Sequence, residues 1–193
     1  AGAEARHAAE RIGIAARAQA RLIEDLLDAS RIVTGKLRLE REAVDLRDVV
    51  EGAADALRDE AARKDVRLAI ALPDEACLLL ADPLRLRQVT WNLLSNAVKF
   101  SAPGQTVRLA LECAPDTVQL TVSDEGAGIP AAFLPRIFEP FAQAEPRRGQ
   151  GGLGLGLAIV RHIVEQHGGR VSASSPGPGR GATFVVTLPR AAA

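Results

Sequence analysis

Methionine is absent from the 193 residues of this chain, and only two cysteines occur. A natural protein chain starts with methionine, so we expect this sequence to be part of a longer protein. Cys77 and Cys113 are too few for a disulfide framework or a cysteine-based metal site. Because each borders an apolar run, we expect two core thiols in a reducing compartment, which predicts a cytoplasmic protein.

A net charge of either sign is also missing. Lysine plus arginine and aspartate plus glutamate each number 24, so the charge gives no reason to expect nucleic acid or a membrane surface as a partner. No apolar stretch approaches the roughly 20 residues of a membrane span, and no signal peptide is recognisable. Hydrophobic residues make up 47% of the chain, which is enough for one domain plus an additional element.

Glycine is concentrated in GQGGLGLGLAIV, residues 149–160, which leads into an apolar helical pattern. Three interpretations are a flexible loop before a helix, a dinucleotide-binding turn, and another phosphate-binding loop at a helix N-terminus. Gly149, Gly151 and Gly154 match G-x-G-x-x-G, but the polar residues before them do not form the strand that a dinucleotide fold requires. A P-loop G-K-[ST] is absent as well. The loop and the phosphate-binding interpretations stay open on this stretch alone.

The first 36 residues predict one long helix over 4–33. Its apolar positions alternate by three and four, which indicates a heptad seam: Ile12, Ala15, Gln19, Leu22, Leu26, Ala29 and Val33. A seam of this length needs a second helix, so we expect it to pack on a helix outside this sequence or on a second copy.

The remainder predicts helices alternating with pairs of strands. We expect helices at 45–64, 83–100, 131–137 and 154–167, and strands at 66–72, 77–81, 106–114, 117–124, 170–175 and 182–188. Because the strands occur in adjacent pairs, this order favours a mixed sheet with helices on one face over a doubly wound parallel sheet.

The helix over 83–100 carries an unusual polar stripe. Five polar residues fall within about a third of its circumference: Gln88, Asn92, Ser95, Asn96 and Lys99. The stripe could be a solvated face, although asparagine is unfavourable inside helices. It could also be a binding surface, because an asparagine oxygen suits Mg²⁺ when phosphates supply the other ligands.

Two further motifs surround strand ends. SDEGAGIP, residues 123–130, could be an ordinary Asp–Gly turn. Alternatively, Asp124 could accept a hydrogen bond from an amino group such as that of adenine, while Gly126 and Gly128 let a flat ring approach the backbone. GRGATF, residues 179–184, is a glycine turn that enters a strand. Each motif alone is weak.

Taken together, the motifs follow a specific order between residues 92 and 184: an N-x-x-x-N helix, D-x-G-x-G, F-E-P-F, G-G-L-G-L-G-L and G-x-G-x-T-F. In this order they resemble the catalytic ATP-binding domain of bacterial sensor histidine kinases, part of the superfamily that includes gyrase-type, heat-shock-chaperone and mismatch-repair ATPases. RLIEDLLDASRIVTGKL, residues 21–37, is similar to the second helix of the dimerisation hairpin in these kinases.

The resemblance implies an α+β fold, a two-layer sandwich of a mixed, largely antiparallel sheet and helices, preceded by a long hairpin helix. Residues 1–36 would be that helix, 37–44 a linker and 45–190 the catalytic domain. The phosphoacceptor signature of the family, His-Glu/Asp followed by R-T-P, is absent. His7, His162 and His167 stand in unrelated contexts, so the acceptor helix is expected outside this sequence.

The resemblance also implies the site. Asn92, Asn96 and Lys99 would be catalytic, with Asn96 coordinating Mg²⁺ and the others reaching the metal and the phosphates of ATP. Asp124 would select adenine, assisted through water by Thr183. The other expected nucleotide-binding residues are Phe100, Gly126, Gly128, Ile129, Phe138, Gly152, Leu153, Gly154, Leu155 and Gly156. Leu153, Leu155 and Leu157 would anchor the phosphate-binding turn in the core.

A mobile lid would extend from Glu139 to Gly152, where Arg147 or Arg148 could contact the γ-phosphate. The implied activity is transfer of the γ-phosphoryl group of ATP to a histidine on the hairpin of a homodimer, followed by relay to an aspartate in a response-regulator receiver domain. Two alternatives are a hydrolytic ATPase of the superfamily and a degenerate nucleotide-binding or dimerisation module. The hydrolytic members carry a glutamate base where this chain has Asn92, which favours the kinase.

Overall fold

A computed structural model of the chain describes residues 2–143 and 153–190. The chain divides into two compact units, residues 1–37 and 38–193. The first contains helix α1, Gly2–Val33, and the second contains all strands of the described part. Among the described residues, no helix combines the length and apolarity needed to cross a membrane.

The second unit contains α2 (Leu46–Arg63), α3 (Pro83–Phe100) and α4 (Gly156–Gln166), together with strands β1 (Glu42–Asp45), β2 (Arg67–Ala71), β3 (Leu78–Ala81), β4 (Thr106–Cys113), β5 (Thr117–Asp124), β6 (Arg170–Ser174) and β7 (Ala182–Pro189). Five strands form one sheet in the order β2-β4-β5-β7-β6. β2 and β4 are parallel, and the other pairs are antiparallel. The predicted mixed sheet covered by helices is confirmed.

The two central helices begin where the sequence predicts, because an aspartate caps each of them. The Asp45 carboxylate accepts the backbone N–H of Arg47 at the start of α2, 3.1 Å away. The Asp82 carboxylate accepts the N–H of Arg85 at 3.0 Å, and Pro83 occupies the first turn of α3. Such caps satisfy N–H groups that have no partner within the helix.

Two predictions about elements are wrong. Residues 37–44 are not only a linker, because β1 begins at Glu42 and pairs antiparallel with β3. Val44 is buried opposite Leu79, and that partner is distant in sequence. The helix expected at 131–137 is only a 3₁₀ turn, Leu134–Arg136, because Pro135 has no N–H and disrupts a longer helix.

The expectation of two unpaired thiols is also wrong. Cys77, which precedes β3, forms a disulfide with Cys113 at the end of β4, and their Cα atoms are 6.0 Å apart. This distance lies within the range that disulfides span. The sequence spacing could not reveal the pair, because β3 and β4 belong to different sheets and only the tertiary fold brings the two cysteines together. The cytoplasmic location stays a prediction.

Candidate functional site

The centre of α3 meets the beginning of α4. Asn92 lies in the middle of α3 and is 6% exposed. Its side-chain nitrogen donates a hydrogen bond to the carbonyl oxygen of Gly156, the first residue of α4, over 3.3 Å. A Cβ atom at Gly156 would stand 3.6 Å from the Asn92 carboxamide, in ordinary van der Waals contact. At Asn92, the polar stripe of α3 therefore faces the glycine-rich turn rather than bulk solvent.

Positive charge collects at the C-terminal end of α3. Burial lowers the pKa of Lys99, and the nearby ammonium of Lys64 lowers it further. The Lys64 ammonium donates hydrogen bonds to the carbonyl oxygens of Val98, at 2.7 Å, and of Lys99. Lys99 also lies 5.0 Å from the ring centre of Phe100, within the range of a cation–π contact. Two ammonium groups at one end of the stripe favour an anionic ligand.

Asp124 stands at the end of β5, next to α3. Burial raises the pKa of its carboxyl group, while hydrogen bonds from the backbone amides of Gly126 and Ala182 act in the opposite direction. The Gly126 amide is 2.9 Å from Oδ1. A partly buried carboxylate with a shifted pKa is a candidate functional residue.

The segment after Asp124 lies directly against the end of α3. The Ala127 amide donates to the Phe100 carbonyl oxygen over 3.1 Å, and any Cβ at Gly126 would overlap that oxygen. Only glycine permits this approach. Phe100 itself is 43% exposed, whereas Ile129 is buried. The two predicted neighbours of a bound ring therefore belong to two segments that are in direct backbone contact, Phe100 to the end of α3 and Ile129 to the segment after Asp124.

The turn between β6 and β7 packs against the segment that follows Asp124. The amides of Gly179 and Gly181 donate to the carbonyl oxygens of Ala127 and Gly126, at 2.7 and 3.1 Å. Gly128 has φ +64°, and a Cβ there would overlap the Gly177 carbonyl oxygen. In the β5–β7 register, Ala182 pairs with Asp124, and Thr183 pairs with Ser123. The first and last glycine motifs are therefore one hydrogen-bonded unit.

A backbone contact joins a residue near the start of the predicted lid, Glu139 to Gly152, to a residue just after its end. The Phe141 amide donates to the Gly154 carbonyl oxygen over 2.9 Å. Gly154 has φ +72°, and a Cβ there would lie 2.8 Å from the Phe141 carbonyl carbon. Gly152, Arg147 and Arg148 lie outside the described residues, as does the lid between 144 and 152.

The leucines of the glycine motif do not all behave as expected. Leu155 is 2% exposed and anchors the start of α4 in the core, while Leu157 is half-buried. Leu153 is 41% exposed, so the expectation that it anchors the turn is wrong. It precedes the left-handed Gly154, which turns the backbone before the helix begins. Phe138 packs edge-to-face on Phe184 of β7, with ring centres 6.4 Å apart.

Asn96 and Lys99 are half-buried on the same stripe as Asn92. A carboxamide oxygen is a hard ligand of the kind that Mg²⁺ takes beside phosphate oxygens, so the donor type fits the predicted metal. Sequence reasoning missed Lys64 and Gln105. The Gln105 side chain accepts the Ala102 amide at 2.6 Å and donates to the Glu125 carbonyl oxygen at 2.7 Å, which links the end of α3 to the segment after Asp124. No local pattern marks either residue.

Comparison with known families agrees with this geometry. Residues 81–192 match the family described as histidine kinase-, DNA gyrase B-, and HSP90-like ATPase. This range contains α3, the Asp124 segment and both remaining glycine motifs. The chain belongs to this ATPase family.

Individual relatives narrow the class. The chain is 40% identical over 168 residues to the alginate biosynthesis sensor protein KinB of Pseudomonas aeruginosa, an alignment that covers 87% of the chain and 28% of KinB. It is 40% identical over 186 residues to the probable sensor histidine kinase TcrY of Mycobacterium tuberculosis, covering 95% of the chain and 38% of TcrY. The chain thus spans well under half the length of these two relatives.

Solved structures agree with the sequence relatives. Full-length ShkA in complex with AMPPNP is similar with a TM-score of 0.79 and 32% identity, covering 90% of this chain and 36% of ShkA. The mycobacterial sensor histidine kinase MprB is similar with a TM-score of 0.70 and 29% identity, covering 77% of this chain and 98% of MprB. Within its family, the chain is an ATP-binding catalytic domain of the histidine kinase type.

Proposed function

We propose that this chain transfers the γ-phosphoryl group of Mg-ATP to a histidine on a helical hairpin, from which it passes to a response-regulator aspartate. The observation that carries the proposal is the contact between Asn92 and Gly156. It joins the polar stripe of α3 to the glycine-rich start of α4, so that side-chain ligands and free backbone amides face the same space. Phosphoryl transfer depends mainly on such positioning and on charge stabilisation.

The phosphates would lie between these two helices. The free N–H groups at the start of α4 and the positive end of its dipole favour phosphate oxygens. Lys99 adds a positive charge at the other end of the stripe. Asn96 would hold Mg²⁺, which supplies charge neutralisation on the phosphate oxygens. Gly152 and the lid arginines stay candidate phosphate contacts.

The adenine ring would occupy the cleft beside Phe100 and Ile129. Asp124 would accept a hydrogen bond from its amino group. The predicted support from Thr183 through water does not fit the register: Thr183 pairs with Ser123, and side chains alternate between the two faces of a sheet, so it lies on the opposite face from Asp124. Gly126 and Gly128 keep the cleft wall next to Asp124 free of side chains. Because guanine has a carbonyl oxygen in place of that amino group, an ionised Asp124 would repel it.

The acceptor histidine would come from another segment. His167 is buried, and both ring nitrogens are in hydrogen bonds, to the Asp82 amide and to the Ile163 carbonyl oxygen. It is therefore unsuited to accept a phosphoryl group. The apolar face of α1 exposes Leu22, Ile23, Leu26, Leu27 and Val33, which supports a helical partner from the hairpin and a second copy.

Transfer of ³²P from γ-labelled ATP tests the proposal. We expect no acid-labile label on the isolated chain, and label on the hairpin histidine when the parent hairpin is added with Mg-ATP. Asn96→Ala should abolish that label, while Ser172→Ala, an exposed position on β6, should leave it unchanged. Label on His7, His162 or His167 of the isolated chain would contradict the assignment of the acceptor.

A further inference from the structure

One side chain outside the predicted motifs ties the two glycine-containing segments of the cleft together. Ser175 follows β6 directly and is half-buried. Its Oγ accepts the backbone N–H of Ile129 over 2.9 Å. The same oxygen donates its proton to the carbonyl oxygen of Gly181 over 2.6 Å and accepts the Gly177 amide at 3.2 Å. A hydroxyl group has one donor and two acceptor positions, so all of them are used.

These hydrogen bonds hold Ile129 in place relative to Asp124, and we propose that adenine binds beside both residues. Ile129 closes one end of the segment 124–129, and Asp124 is the other end. Gly181 is hydrogen-bonded to Gly126 beside Asp124 and precedes Ala182, whose register partner is Asp124. Ser175 therefore connects Ile129 to Gly181 through two hydrogen bonds. Gly181 continues the connection to the Asp124 end through its own bond to Gly126.

Among the residues that the structure describes, the Ser175 hydroxyl group is the hydrogen-bond acceptor of the Ile129 amide, and Ile129 is buried. Without the hydroxyl group, a buried N–H would lose its partner, which is costly enough to move the segment. A shift of Ile129 would widen the cleft between it and the Asp124 carboxylate. Such a change would affect the fit of the ring more than the phosphate contacts at α3 and α4.

We propose that Ser175 is a positioning residue for base selection: its hydroxyl group sets the spacing between Asp124 and Ile129 and thereby the preference for adenine over guanine. This inference rests on the proposed placement of adenine beside Asp124. Ser175 does not contact the ligand. It acts through the backbone of Ile129 and Gly181.

The test is the ratio of ATP to GTP dissociation constants, measured by calorimetry with Mg²⁺ for the wild type, Ser175→Ala, Ser175→Thr and Ser172→Ala. Ser172 lies on β6, the strand that Ser175 follows, and is exposed, so its variant is the matched control. We expect Ser175→Ala to reduce the preference for ATP about tenfold, the size of effect of one lost hydrogen bond to a buried group. Ser175→Thr, which keeps the hydroxyl group, should recover most of the preference.

The outcomes separate the two levels of the proposal. A wild type without preference for ATP would overturn the adenine placement and this inference with it. A wild type with a preference that Ser175→Ala retains would overturn the role of Ser175 alone, even if the variant is less stable. If Ser175→Ala does not fold, Ser175→Cys, with its weaker donor and acceptor, takes its place. Amide exchange at Ile129 gives a second measurement: it should accelerate in the variant, and an unchanged rate would also overturn the inference.

Discussion

The Asn92 carboxamide of α3 donates a hydrogen bond to the carbonyl oxygen of Gly156, the first residue of α4. The donor is an amide nitrogen on a residue 6% exposed to solvent. A side chain that uses its N–H₂ group in this way holds the glycine-rich turn against α3. It has no basic atom with which to remove a proton from water at neutral pH.

We therefore expect negligible ATP hydrolysis by this chain. The residues between Asn92 and Asn96 are Leu93, Leu94 and Ser95, so no carboxylate within that turn replaces the missing base. Phosphate release under saturating Mg-ATP should stay at the background rate while bound nucleotide remains intact over many minutes. Asn96→Ala serves as the control for contaminating ATPases. Sustained release that this variant abolishes would mean that another base exists and would favour a hydrolytic enzyme.

Asp124 should make ATP binding dependent on pH. The ionised carboxylate is a stronger acceptor for the amino group of adenine than the protonated form, and burial raises the pKa of this group. The affinity for ATP should therefore fall with decreasing pH at values above those of an ordinary aspartate. Asp124→Ala should lower the affinity by about ten- to a hundredfold, because a charge-assisted hydrogen bond contributes about 1.5–3 kcal/mol. It should also remove this pH dependence.

The control for Asp124 is Asp116, an exposed aspartate just before the opposite end of β5. Asp116→Ala should keep the affinity, the preference for ATP over GTP and the pH profile of the wild type. Calorimetric titrations at several pH values measure all three. Equal affinity of the wild type for ATP and GTP would contradict the adenine assignment.

His167 should make the free energy of unfolding depend on pH. Its Nε2 accepts the Asp82 amide at 3.0 Å and its Nδ1 lies 2.8 Å from the Ile163 carbonyl oxygen, so the folded ring is neutral with its proton on Nδ1. Burial lowers its pKa, and Arg41 lowers it further, against the opposing effect of the Ile163 carbonyl.

Because folding depresses the pKa of His167, the stabilisation by its neutral ring is complete above about pH 6.5, the ordinary pKa of histidine. Below that pH, His167 is protonated in the unfolded chain but still neutral in the folded one. The free energy of unfolding should therefore fall by up to about 1.4 kcal/mol per pH unit until the pKa of the folded protein is reached. Urea titrations should show a smaller slope in His167→Gln, which can still accept the Asp82 amide. Gln166→Ala, at an exposed position in the last turn of α4, should keep the wild-type slope. Equal slopes in all three proteins would contradict the assignment.

Reduction of the Cys77–Cys113 disulfide should destabilise the catalytic unit. The two cysteines are 36 residues apart, and closing a loop of that length stabilises a protein by about 4 kcal/mol in the chain-entropy description. Urea unfolding with and without a reducing agent measures the difference. The variant Cys77→Ala/Cys113→Ala should not respond to the reducing agent. Two reactive thiols in protein unfolded without reductant would show that the bond does not form.

Much of the fold follows from local signals. Asp45 and Asp82 cap helices at the positions where the sequence places them, because an aspartate before an apolar helical pattern accepts N–H groups of its own first turn. The strands of the five-stranded sheet follow from alternating apolar residues, since the side chains of a strand point to opposite faces in turn. The family follows from the order of five motifs, which is conveyed by sequence alone.

Contacts between segments that are distant in sequence could not be predicted from such local signals. β1 forms because Val44 meets Leu79, and the disulfide forms because Cys77, just before β3, lies next to Cys113 at the end of β4. Gly126 is required by the Phe100 carbonyl oxygen, and Ser175 acquires its partners from two other loops. The sequence by itself determined the elements, their caps and the family, because those depend on residues near one another in the chain. Only the tertiary structure decided which backbone groups meet in the cleft, because hydrogen-bond partners there are chosen by sheet topology and packing.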